Sequence, residues 1–90
     1  MSVDASGALT SFVSSSTVRV KLMVHLARSP MTPTELAAVE NKHVSHVSRA
    51  LAELRASGLI EPVSVRSRER KYMLTIQGFM ICAEVMKMAR

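Results

Sequence analysis

The chain has 90 residues, enough for one domain and close to the lower limit at which a core sustains itself. Twelve Lys and Arg against seven acidic residues give a net charge of +5, which points to an anionic partner, with a charged membrane surface as the competing reading. A single cysteine, Cys82, excludes an internal disulfide and any cysteine-cluster metal site, and no apolar run approaches the ~20 residues of a membrane-spanning helix.

Nearly half the residues are hydrophobic, yet the chain holds no Trp, one Tyr and two Phe against seven Met. A core of Leu, Val, Ala and Met favours helices. Residues 1–14 are rich in Ser, Ala and Gly, with Leu9, Phe12 and Val13 at helical spacing. They read as an arm or short helix that packs on a neighbouring element or on a second subunit, with Phe12 as its contact. Met1 to Ser16 lacks the positive start and apolar centre of a secretion signal, so the expected location is the cytoplasm.

Ser15, Ser16 or Thr17 caps the first long helix, which runs to about Arg28. Val18, Leu22, Met23 and Leu26 form its inward stripe, and Arg19, Lys21 and Arg28 face out. His25, without a partner at metal-ligand spacing, reads as a packed or surface histidine. Ser29-Pro30 closes the helix because the residue before proline is steered from helical geometry. Met31 and Thr32 are placed to add a very short strand.

The stretch from Thr32 to Ile60 organises the rest. Thr32, Pro33 and Glu35 spell a capping box with proline at the first helical position. Leu36, Ala37 and Val39 supply the inner face of that short helix until Glu40-Asn41 breaks it. Asn tolerates the left-handed backbone that a sharp turn requires. A second helix, roughly Lys42 to Ser57, carries Val44, Val47, Ala50, Leu51 and Leu54 as an apolar stripe, and Gly58 stops it. On its opposite side Ser45, Ser48, Arg49 and Ala52 gather, flanked by His46. That outer face is short, polar and basic, and its small residues suit close approach to a groove; an ordinary solvated face is the plain alternative. His43 and His46 lie three apart, but no third ligand joins them and no metal site is expected.

Ile60 to Val65 and Lys71 to Thr75 are strand-like, separated by Arg66-Ser67-Arg68-Glu69-Arg70, and together read as a β-hairpin with a basic tip. Pro62 has no N–H and belongs on an exposed edge. The last helix, from Ile76 with Thr75 as cap, is apolar around about two-thirds of its circumference, whereas packing on one domain needs a single stripe. The expected partner is the same helix of a second copy, with Met80, Ile81, Val85 and Met88 as seam; cover by the N-terminal arm is the alternative. No nucleophile elbow, phosphate-cradling loop or paired carboxylate is present, so neither a catalytic site nor a cofactor is expected.

The run from Leu36 to Leu51 with Glu53-Leu54 and Gly58-Leu59-Ile60, followed by Tyr72-x-Leu74-Thr75 and Gly78, resembles the winged helix-turn-helix regulators of the small archaeal and bacterial MarR and ArsR type. It differs in the turn, where Asn41, Lys42 and His43 replace the usual Gly, aliphatic residue and Ser or Thr cap. The resemblance implies a mainly α fold with a small β-hairpin wing: a three-helix core plus a C-terminal helix. It divides the chain into an arm (1–14), a DNA-binding domain (15–75) and a C-terminal helix for dimerisation (76–90). It implies base contacts from Val44, Ser45, His46, Ser48 and Arg49 in the major groove. Thr34, Lys42, His43, Arg66, Arg68, Arg70 and Lys71 would lie along the backbone or minor groove. The implied partner is double-stranded DNA bound by a homodimer, and the sequence identifies no effector. Two other readings stay open: a winged-helix protein-interaction adaptor, and a DNA binder without sequence preference.

Overall fold

The computed structural model describes residues 5–63 and 69–88. In chain order these form α1 (Ala5–Ser14), α2 (Thr17–Arg28), α3 (Pro33–Glu40), α4 (Val44–Ala56), β1 (Ile60–Pro62), β2 (Tyr72–Leu74) and α5 (Ile76–Met88). The architecture is mainly α with a small antiparallel hairpin.

Local chemistry sets most boundaries. The Ser16 hydroxyl accepts the Arg19 N–H at 3.2 Å and starts α2, and Ser29, extended ahead of Pro30, ends it. Both arms of the capping box at α3 form: the Thr32 hydroxyl accepts the Glu35 N–H at 3.1 Å, and the Glu35 carboxylate accepts the Thr32 N–H at 2.9 Å. Asn41 ends α3 in the left-handed region, φ 54° and ψ 51°. Its neighbour Lys42 donates its N–H back to the Ala37 carbonyl at 2.9 Å, and Asn41 donates to Ala38. Gly58, at φ 77°, closes α4 in the same way, with Leu59 donating to Leu54 and Gly58 to Arg55. There the flanking pair, Leu54 and Leu59, is fully buried, which adds an apolar contact that Lys42 cannot supply at the first turn.

The start of α4 corrects one expectation. The helix begins at Val44 rather than Lys42, because His43 is extended (φ −70°, ψ 141°) and interrupts the helical backbone; it caps the helix without a side-chain hydrogen bond. Val44 therefore sits exposed at the helix start instead of in the apolar stripe. Val39 is likewise half exposed, at 54%. At ~100° per residue, Glu40 falls between Leu36 and Ala37, whereas Val39 lies outside that arc and nearly opposite Ala37.

β1 and β2 pair antiparallel, Ile60 opposite Leu74, Glu61 opposite Met73 and Pro62 opposite Tyr72. Met31 pairs with the other side of β2: Tyr72 and Met31 exchange N–H to carbonyl bonds of 2.9 and 3.2 Å. Both backbone groups of Tyr72 are thus engaged by Met31, and the missing N–H of Pro62 on the edge strand leaves no acceptor unpaired. The strands are shorter than the sequence reading, three residues each. Thr75 is drawn off to start α5, its hydroxyl donating to the Gly58 carbonyl at 2.8 Å and accepting the Gly78 N–H at 2.9 Å. The first strand was expected to reach Val65, which lies outside the described residues.

The core is one cluster. Leu22, Met23 and Leu26 of α2 meet Leu36 of α3, Val47, Leu51 and Leu54 of α4, Leu59, Leu74, and Ile81 and Val85 of α5. Helix α1 packs on α2 and α5 and adds Val13. Ile81 and Val85, expected in a dimer seam, are corrected by this packing: at 2% and 4% exposure they belong to the chain's own core. Phe12 is half-buried against the same cluster. The apolar positions of α5 left open are Ile76, Phe79, Met80, Met86 and Met88.

Candidate nucleic-acid interface

The buried stripe of α4, Val47, Ala50, Leu51 and Leu54, fixes which side of that helix faces water. Ser45, His46, Ser48, Arg49 and Ala52 are all exposed on the other side, as are Lys42, His43 and Val44 at the helix entry. The αL turn at Asn41 sets α4 across α3, and the bridge of Met31 to Tyr72, just before the capping box, brings the N-terminus of α3 beside the hairpin. Thr34, on that first turn of α3, is exposed, and its hydroxyl donates to a Glu69 carboxylate oxygen at 2.6 Å. The contact ties the far end of the hairpin to the helix-turn-helix.

Of the basic residues expected on the hairpin, Arg70 is exposed and Lys71 half-buried. Arg66 and Arg68 lie outside the described residues. Between α4 and the hairpin runs a cleft of about 420 Å³, lined by Pro33, Ser48, Leu51, Ala52, Arg55, Ala56 and Tyr72. Arg55 and Tyr72 were not singled out from sequence as part of this surface. The signal for Arg55 was available, since it extends the outward Ser48 and Ala52 positions by one further turn. Tyr72 could be placed only once Met31 had fixed the middle strand.

Two of the charges read as outward are tied down. Arg19 pairs with Glu53 of α4 at 3.0 Å, and Lys21 approaches Glu40 at 3.9 Å. His25 is half-buried, and its Nε2 pairs with the Glu40 carboxylate at the end of α3. Among the described residues no three His, Cys, Asp or Glu side chains converge as a metal-binding group. None of the described helices is long and apolar enough to cross a membrane.

A helix-turn-helix with an uncovered polar and basic outer face, followed by a small hairpin, defines a winged helix-turn-helix domain. Residues 16–61 match the family model of bacterial regulatory proteins of the ArsR family, and the chain belongs to that family. Membership in this family of regulatory proteins implies DNA binding. Solved structures agree on the fold. The transcriptional regulator BldR from Sulfolobus solfataricus superimposes with a TM-score of 0.78 at 19% identity, covering 83% of this chain and 55% of its own. A MarR family transcription regulator gives 0.76 at 23%, covering 91% and 60%. The adhesin competence repressor AdcR from Streptococcus pyogenes gives 0.74 at 18%, covering 82% and 57%. This chain thus spans little more than half the length of the structures it resembles. No curated protein matches its sequence.

Proposed function

We propose that the chain is a homodimeric, sequence-specific DNA-binding regulator in which α4 enters the major groove. Ser45, His46, Ser48 and Arg49 read base edges there, with Val44 against a thymine methyl or the groove wall. Lys42, His43, Thr34, Arg70 and Lys71 hold the sugar-phosphate backbone, together with Arg66 and Arg68. The observation that carries this reading is the exposure of Ser48 and Arg49 directly behind buried Val47, Ala50 and Leu51. Among the described residues none covers either. A helix fixed from behind and bare in front is what a groove requires. A chain with this role works beside the chromosome.

Dimerisation through α5 is supported by its uncovered apolar side: Ile76, Met80 and Met88 are 82%, 65% and 60% exposed. An apolar patch of this kind seldom stays open on a monomer. A two-fold dimer would favour a palindrome-like site with half-sites about one helical turn apart. Selection of bound duplexes from a random library tests the reading: an enriched, two-fold symmetric motif is expected. Recovery of unenriched sequence would leave only non-specific binding.

The same open α5 face favours one second reading, a protein-interaction adaptor whose arginines serve solubility. A gel shift with random duplex at low salt separates the two, since an adaptor leaves the duplex unshifted.

A further inference from the structure

Arg19 sits at a three-way junction. Its guanidinium donates from Nε and Nη2 to one Glu53 carboxylate oxygen, at 3.2 and 3.0 Å. It is anchored independently of that contact: Nη1 donates to the Phe12 carbonyl at 2.8 Å, and the group lies 4.0 Å from the centroid of the Phe12 ring. The arginine side chain is 19% exposed and its partner 44%, so Arg19 is the fixed member and Glu53 the held one.

Glu53 stands four residues after Arg49 on α4, and both border a hollow of about 190 Å³ shared with Val18, His46 and Ala50. On a helix, residues at that spacing are neighbours, and an unheld Glu53 can pair with Arg49. It would also set a free carboxylate near an approaching phosphate. Among the described residues Arg49 has no ion-pair partner.

We infer that Arg19 is a positioning residue for DNA recognition: it sequesters Glu53 and so leaves the Arg49 guanidinium unpaired on the outer face of α4. The role needs an arginine, because a single planar fork serves Glu53, the Phe12 carbonyl and the ring face at once, which an ammonium cannot. Its effect on binding rests on the DNA reading above; the state of Arg49 does not, since it is a property of the protein without DNA.

Two measurements on the full chain test it. The first follows the arginine Nε–H resonances of the ¹⁵N-labelled protein without DNA. In the parent, Arg19 is expected to be protected from exchange and Arg49 averaged; in Arg19→Met, Arg49 gains protection, and adding Glu53→Gln removes it. The second is a titration with the selected duplex. Arg19→Met should bind roughly two- to fivefold more weakly, and Arg19→Met with Glu53→Gln should recover the parent's affinity. Arg19→Lys keeps the charge but not the fork and should shift both readouts the same way by less; it serves if the Met variant does not fold. An Arg49 resonance unchanged by either Arg19 substitution overturns the inference. So does a double variant as weak as the single, which would make Arg19 a direct phosphate ligand. A parent that shows the expected resonances but binds no duplex overturns the DNA reading and leaves the hold on Glu53 standing.

Discussion

Gly78 lies flat against the backbone of Leu59: a Cβ built on it would stand 2.1 Å from the Leu59 carbonyl oxygen and 3.1 Å from its carbonyl carbon. This close approach seats the first turn of α5 on the entry to the hairpin, where Thr75 bridges the Gly58 carbonyl and the Gly78 N–H. The obstacle is main chain, which cannot swing aside as a side chain does. Gly78→Ala should therefore destabilise the fold by at least ~2 kcal/mol, although alanine is the better helix former. A fall in the denaturation midpoint checks this; an unchanged midpoint would mean that α5 can lift from Leu59 without loss.

Asn41 and Thr32 bracket α3, one through its backbone and the other through its side chain. Asn41 holds a left-handed backbone, so Asn41→Gly should change stability little, whereas Asn41→Val should cost ~1–2 kcal/mol. Thr32→Ala removes one arm of the capping box and should cost ~1 kcal/mol. Equilibrium urea titrations of the three variants read these differences directly.

Arg49 and Arg70 separate readout from grip. With Arg49 bare on α4, Arg49→Ala should flatten the ranking of duplex sequences, losing ~1–3 kcal/mol of discrimination at the base it reads. Arg70→Ala, at the exposed hairpin end, should weaken all duplexes alike and reduce the slope of log affinity against log salt by ~1. Binding titrations at several salt concentrations distinguish the two. An Arg49→Ala protein that ranks sites as the parent does would remove α4 from base readout.

Met80, exposed on α5 and clear of the core, is the place to test self-association. Met80→Glu should convert a dimer into a folded monomer, with sedimentation velocity reporting the mass and circular dichroism the helix content. A parent that sediments as a monomer would leave α5 to another partner.

Cys82 is 9% exposed, and burial pushes its thiol pKa up by disfavouring the thiolate. The sign follows from linkage: a folded-state pKa above the unfolded value gives stability that is complete below the ordinary thiol range and fades as pH rises through the folded value. Alkylation of the folded chain should be slower than that of the denatured chain by roughly tenfold or more. Equal rates would mean that α5 opens locally.

What the amino-acid order determined by itself was local. Thr32-Pro33-x-Glu35, Asn41, Gly58 and Pro62 each act through a backbone preference that operates within a few residues, and each appears where the sequence put it. The outer face of α4 was equally legible, because helical periodicity assigns sides without knowledge of the neighbours. Only the tertiary structure decided the rest. Periodicity marked α5 as apolar around about two-thirds of its circumference but could not say which side the core would take. The packing of α1 and α2 buried Ile81 and Val85 and left Phe79, Met80 and Met88 outside. Arg19 likewise read as one more solvated charge, since its partners Phe12 and Glu53 stand 7 and 34 residues away. Pairings at that distance are set by how helices stack, and no propensity of the residues themselves encodes it.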